Sequence, residues 1–352
     1  MASEFGNRLK VSLFGESHGD AVGMVLSGLP AGESIDLEAL DAFLARRRGG
    51  KAGTTARTET DKPVFLSGLT GGKTNGAPLC AYIVNENVRR EDYAALTAPR
   101  PGHADYTAHI KWHGQSDLSG GGHLSGRLTA PLCAAGGIAR QILARRGIFT
   151  GSHVLSCAGV EDRPFSLSPD VRELEAPAAN WPPCLDTDAG AKMLAALSAL
   201  CGDSAGGIAE CVVTGLPAGL GDPLFDGVES RMSRTLFGIP AVKGVEFGSG
   251  FAGAHSTGSQ NNDPFLSGGK TASNHAGGIL GGITNGMPLV VRCAFKPTPT
   301  IDREQQSVSF DGETPVSVRI PGRHDPCVAL RGAVCAEAAA ALVCLDLLLE
   351  GV

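Results

Sequence analysis

The chain has no surplus of positive charge. Its 30 lysines and arginines are outnumbered by 36 aspartates and glutamates, for a formal net charge of -6. Nucleic acid and acidic membranes are bound through a net positive surface that displaces counterions, so neither is expected as a partner. Any anionic ligand must be met by a local basic cluster. The ten cysteines, scattered from Cys80 to Cys344, include no CxxC pair and no metal-type spacing with histidine. They read as reduced core residues, not as a zinc site or a disulfide framework. No Walker A lysine loop is present, and the GxGxxG string at 248–253 does not open an expected helix, which leaves ATP and dinucleotide folds without support. No basic and apolar leader opens the chain, where Arg8 and Lys10 sit among alternating apolar residues, and the expected location is the cytoplasm. The one long apolar run, roughly 328–349, carries Arg331, Glu337 and Asp346. Charges so placed are costly in hydrocarbon, so the run reads as a buried helix of a soluble protein.

What the chain has in abundance is glycine, 49 residues without a collagen-like period or a low-complexity tract. Backbone geometry must demand it. Part of the reason is an internal repeat. Residues 15–32 read GESHGDAVGMVLSGLPAG and residues 202–219 read GDSAGGIAECVVTGLPAG, identical at 9 of 18 positions without a gap. GGKTNGAPL from Gly71 and GGITNGMPL from Gly281 then follow in the same order, identical at 7 of 9. Recurrent turn chemistry alone is the alternative, but the likeness continues through the apolar residues between the turns. The favoured reading is a duplicated unit: a glycine turn, a β-run (22–26 and 208–214), a GLPAG turn, then a TNG turn feeding another β-run. Further strands are expected at 9–14, 63–66, 79–84, 289–295, 307–310 and 316–320. Helices are expected from Asp36 to Gly49–Gly50 and at 127–146, 189–200, 225–236 and 328–349. Together these predict an α+β layered fold with two related sheets, and no linker divides residues 1–352, which are expected to form a single domain.

Several turns carry chemistry. His18 lies in the glycine-flanked turn Gly15–Gly19, where the backbone can approach a ligand and an imidazole suits proton transfer. A histidine that only hydrogen-bonds locally is the plainer reading. The second copy, however, has Ala205 where His18 stands, so the turn folds without it. The same comparison weakens a serine hydrolase reading of Ser204 in Gly202–Gly207, because the segment is the counterpart of the histidine turn and no matching histidine neighbourhood exists. Arg46, Arg47 and Arg48 precede Gly49, Gly50, Lys51 and Arg57; as helix-end arginines they could simply be solvated. Arg100, His103 and Asp105 share a proline–glycine turn. The loop Gly120–Gly122 with His123, Leu124, Ser125 and Arg127 runs into a helix capped by Ser125 and offers N–H groups to an anion. Lys296, Pro297, Thr298, Pro299 and Thr300 close a β-run, and Arg323, His324 and Asp325 precede the last helix, where Arg323 and Asp325 could be no more than a surface ion pair.

Taken in order, GESHG, RPGHADYT, the triple-glycine loop, GLPAGLGDP, AVKGVEFG, SNHAGGILGGITNG, KPTPTI and GRHDPC resemble the chorismate synthase family over essentially the whole chain. The resemblance implies helices layered between two antiparallel four-stranded sheets, a cytosolic homotetramer, and an anti 1,4-elimination of phosphate from 5-enolpyruvylshikimate-3-phosphate with reduced FMN (FMNH2) as cofactor. It implies that His18 contacts the departing phosphate, His103 stabilises the reduced flavin, and Asp325 helps remove the ring proton. Arg47, Arg57, Arg100, Arg127 and Arg323 would balance the substrate's charge. The flavin would lie along His123, Leu124, Ser125, Pro240, Ala241, Gly281, Lys296 to Thr300 and Arg323. NADPH would act only indirectly, through a separate flavin reductase. The chain departs from the family where GGGHLSGRLT replaces GGGRSSARET and where the loop after Arg48 is poor in arginine, leaving Lys51 and Arg57 to stand in. The competing function is a catalytically inactive homologue that binds flavin or a phosphosugar.

Overall fold

Two antiparallel sheets, one from each half of the chain, face each other across a layer of helices in the computed structural model, which describes residues 3–89, 91, 96–320 and 324–351. The first half runs β1 (Glu4–Phe5), β2 (Lys10–Gly15), β3 (Ala21–Ser27), α1 (Leu37–Ala45), β4 (Val64–Ser67), a small hairpin of β5 (Leu69–Thr70) and β6 (Lys73–Thr74), β7 (Leu79–Val84), α2 (Asp105–Lys111) and α3 (Thr129–Ala144). The second runs β8 (Phe149–Cys157), β9 (Val160–Glu161), α4 (Val171–Glu175), α5 (Thr187–Ser198), β10 (Gly207–Thr214), α6 (Val228–Leu236), β11 (Val242–Phe247) and α7 (Gly258–Asn261). It continues with the hairpin β12 (Ile279–Leu280) and β13 (Ile283–Thr284), then β14 (Leu289–Phe295), the hairpin β15 (Gln305–Val308) and β16 (Pro315–Val318), and α8 (Ala329–Glu350). The sheet orders are β1-β2-β3-β7-β4 and β11-β14-β10-β8-β9. Each is the expected four-stranded antiparallel sheet with a two-residue edge strand added.

The repeated sequences occupy equivalent places down to the register. Leu26 pairs with Leu79 and Ala21 with Val84 in the first sheet; Val213 pairs with Leu289 and Ile208 with Ala294 in the second. A one-residue slip would turn every inward side chain outward, so matching alternation enforces matching register. The outer faces differ. Where the first sheet sets Phe14, Gly23 and Tyr82 side by side, the second sets His153, Glu210 and Arg292.

α3 packs on the first sheet, α8 on the second, and the two helices on each other. A Cβ on Gly136 of α3 would lie 2.4 Å from Cα of Ala338, so the close approach requires glycine. α8 is buried along nearly its whole length, and its charges are answered internally. Glu337 receives Arg46 at 2.8 Å and Arg140 at 3.2 Å. Asp346 accepts the N–H groups of Asn7, Arg8 and Leu9. All ten cysteines are free and eight are buried. The longer elements β8, β11 and α2 lie outside the expected set, as do the short β1, β5, β6, β9, β12, β13, α4 and α7. In β8 the polar Ser152 and His153 interrupt the apolar alternation, and both are buried because they have buried partners.

Candidate active site

The turn between β2 and β3 is shaped by Gly15, whose φ of +98° favours glycine. Asn85, at the end of β7, holds the turn by donating Nδ2 to the carbonyls of Glu16 (2.9 Å) and Gly19 (2.8 Å). Ser17 N donates to Gly122 O at 3.1 Å. His18 is thereby buried against the triple-glycine loop. A Cβ on Gly120 would lie 2.4 Å from Cε1 of His18, and one on Gly121 would lie 3.3 Å from Cε1 of His103. The two imidazoles therefore flank consecutive residues of one loop, and φ values of +63° and +110° there favour glycine as strongly as the lack of room does.

His103 is oriented by Asp105. Its Nδ1 stands 2.7 Å from the carboxylate, which also takes Nε and a terminal nitrogen of Arg100, each at 2.7 Å. Burial pushes the Asp105 carboxyl up, but Arg100 and His103 outweigh it and hold it well below the usual carboxylate range. With Nδ1 donating to an ionised carboxylate, Nε2 is the nitrogen left for a ligand.

Behind the glycine loop the arginines converge on Asp61, which has no solvent exposure and a φ of +51°. Arg47 donates to it at 2.6 Å, and Arg127 donates to its other oxygen. Burial raises the Asp61 carboxyl, and the two guanidinium groups more than reverse this. Arg47 also donates Nε to Thr129 (2.8 Å) and its other terminal nitrogen to Gly126 O (3.4 Å), and Arg127 donates Nε to Asn85 (2.7 Å) and its other terminal nitrogen to Val84 O (3.3 Å). Arg57 reaches the histidine turn, donating to Ser17 O at 3.2 Å. Lys51 does not join it: its ammonium lies 4.4 Å from the centre of the Trp181 ring. The arginine-poor loop thus contributes Arg57 alone of the two candidates.

The second half closes the site from the other side. Lys296 Nζ donates to Gly102 O in the turn that carries His103, and Lys296 N donates to Ala241 O at 2.9 Å, beside Pro240. Thr298 Oγ1 donates to Asp325 O at 2.6 Å. The Asp325 carboxylate accepts Thr55 N at 2.9 Å and Arg331 Nε at 3.0 Å. Ser204 donates its hydroxyl to Thr298 O (2.8 Å), so it serves as a clamp, and no histidine is among its hydrogen-bond partners in the described residues. Arg323 lies outside the described residues. Gly281 is not brought to this place within one chain. It turns the β12–β13 hairpin against the start of β14, whereas Lys296 follows the end of that strand, a span of about 20 Å. His123 is present, but its ring is engaged: Nδ1 lies 2.8 Å from Gly15 O and Nε2 lies 2.8 Å from Ser3 Oγ.

A cleft of about 760 Å³ opens beside His103 and Gly121, walled by Leu13, Phe14, Trp112, Leu118 and Leu124. That volume and apolar wall suit a small-molecule ligand. Among the described residues no lysine or arginine lines it, so charged ends of a ligand would have to reach the arginines behind the glycine loop. Sequence reading passed over Asn85, Asp61 and Arg331, which fix the histidine turn, two arginines and Asp325. Nothing local marks them; only their distant partners do.

Comparison with known proteins gives one consistent answer. The family model described as chorismate synthase matches residues 9–349. A chorismate synthase of Lancefieldella parvula is 45% identical, covering 99% of this chain and 96% of its own, and one of Chitinophaga pinensis is 44% identical over the same shares. A crystal structure of chorismate synthase superposes with a TM-score of 0.77 at 29% identity, covering 98% of this chain and 93% of that one.

Proposed function

The chain belongs to the chorismate synthase family, and we propose that it converts 5-enolpyruvylshikimate-3-phosphate to chorismate by anti 1,4-elimination of phosphate with reduced FMN as cofactor. It is an enzyme, a carbon–oxygen lyase acting on phosphates in aromatic amino-acid biosynthesis. The observation that carries the mechanistic reading is the pair of imidazoles on adjacent glycines, His18 against Gly120 and His103 against Gly121, with Arg47, Arg57 and Arg127 gathered behind them.

A flavin suits the residues present. The glycine pair lets His18 and His103 lie close against the backbone, and the cleft beside Gly121 and His103 has apolar walls for a planar ring. Reduced FMN, when bound, lends electron density transiently, with no net redox change. Leu124, Ser125, Pro240, Ala241 and Lys296 to Thr300 would hold it, and His123 would contribute by its backbone because its ring is engaged. Arg47, Arg57, Arg127 and Arg323 would bind the phosphate and carboxylates, with Arg100 supporting them through Asp105. His18 would give a proton to the departing phosphate, and His103 would hold one on Nδ1 while its Nε2 meets the ligand. Asp325 would help take the ring proton from the position in which Arg331 and Thr55 hold it.

We further propose a cytoplasmic homotetramer that folds as one domain per chain and draws reduced flavin from a separate NADPH-dependent reductase. Exposed apolar side chains such as Leu66, Phe225 and Phe251 are the surface such contacts would cover. A neighbouring copy is also what would be needed to bring Gly281 to a cleft.

The test is anaerobic: protein, FMN, dithionite and substrate, with chorismate absorbance and free phosphate followed together. Both products should appear in equal amount. A folded protein that binds FMN and yields neither would point instead to the inactive binding homologue.

A further inference from the structure

We infer that His324 is a binding residue of this site, meeting the polar edge of the flavin ring. The inference rests on the flavin reading above. Nε2 of His324 is buried and finds no hydrogen-bond partner among the described residues. Buried polar atoms are almost always paired, and an unpaired one is a cost that folding alone would remove by placing an apolar residue there. Folding does not call on this ring, because its neighbours already anchor the segment. The Asp325 carboxylate takes Thr55 N and Arg331, its carbonyl takes the Thr298 hydroxyl, and the Pro326 carbonyl takes Ala205 N at 2.8 Å. The backbone is fixed on that side, and the imidazole lies within electrostatic reach of Arg100, Asp325 and His103.

The charge state narrows the ligand group. Burial, then Arg100 and His103, push the imidazole down to about 4 against the opposing pull of Asp325, so it is neutral at ordinary pH. A neutral imidazole nitrogen suits a group that offers both N–H donors and carbonyl acceptors, as the isoalloxazine edge does. A phosphate would call for a cation.

The experiment titrates FMN, with substrate present, into wild type, His324→Ala and His324→Gln, reading flavin fluorescence and absorbance, with thermal melting as the check on folding. Loss of the ring should weaken FMN binding about tenfold, and glutamine should restore most of it. In wild type labelled with 15N-histidine, the Nε2 resonance of His324 should move when FMN is added. That second readout holds even if the alanine variant fails to fold. Equal FMN affinity in folded His324→Ala, or an unmoved Nε2 resonance while FMN binds, would overturn the inference. Failure of wild type to bind FMN at all would overturn the flavin reading, and this inference with it.

Discussion

Nδ1 of His103 lies 2.7 Å from the carboxylate of Asp105, so one buried acid decides which imidazole nitrogen carries the proton. Because the same carboxylate closes on Arg100, orientation and charge balance are set together. Asp105→Asn should therefore cost turnover roughly 10²- to 10⁴-fold, since an amide can accept on only one side and permits the wrong tautomer. Steady-state kcat under anaerobic conditions measures this. FMN titration should show binding retained.

Gly120→Ala tests the loop. The added methyl would sit 2.4 Å from Cε1 of His18 on a residue of φ +63°, so the ring or the loop must move. We expect kcat to fall more than about tenfold and stability by about 1–2 kcal/mol, the usual cost of a left-handed alanine. Gly258→Ala, where nothing lies within 4 Å, should leave both unchanged.

At His123 the chain departs from the common family pattern, and both ring nitrogens are committed to Ser3 and Gly15. His123→Ala should lower stability by about 1–3 kcal/mol through those lost hydrogen bonds. Its FMN dissociation constant should change by less than about threefold, well under the tenfold that 1.4 kcal/mol would bring. Denaturant melts and FMN titration separate the two effects.

His153 carries a pH prediction. Its nitrogens face Asp162 (3.0 Å) and Glu210 (3.3 Å), while Arg292 sits on Glu210 at 2.8 Å. Burial alone would lower the imidazole, but the two carboxylates outweigh it and raise it above 6.5. Its stabilisation is therefore complete below the unfolded value near 6.5 and is lost as pH climbs through the raised folded value. The Tm of wild type should decline on that alkaline side. In His153→Gln the decline should be shallower, starting from a lower Tm at pH 6.

Local pattern was enough to write much of this fold. Apolar alternation and glycine turns placed β3, β7, β10 and β14, and the repeat implied the equivalence that the registers display. The sequence alone also marked His18 as an addition to a turn that folds without it, because Ala205 fills the same position in the other copy. Tertiary structure decided what periodicity cannot express, namely which distant polar groups are buried together. Asp61 joins Arg47 to Arg127, Asn85 ties the histidine turn to Arg127, and β8 buries His153 between Asp162 and Glu210. It also separated Gly281 from Lys296 and turned Lys51 toward Trp181. The physical reason is range. Hydrophobic alternation repeats within a few residues and is legible along the chain, whereas a buried charge is defined by partners that only folding brings within hydrogen-bond distance.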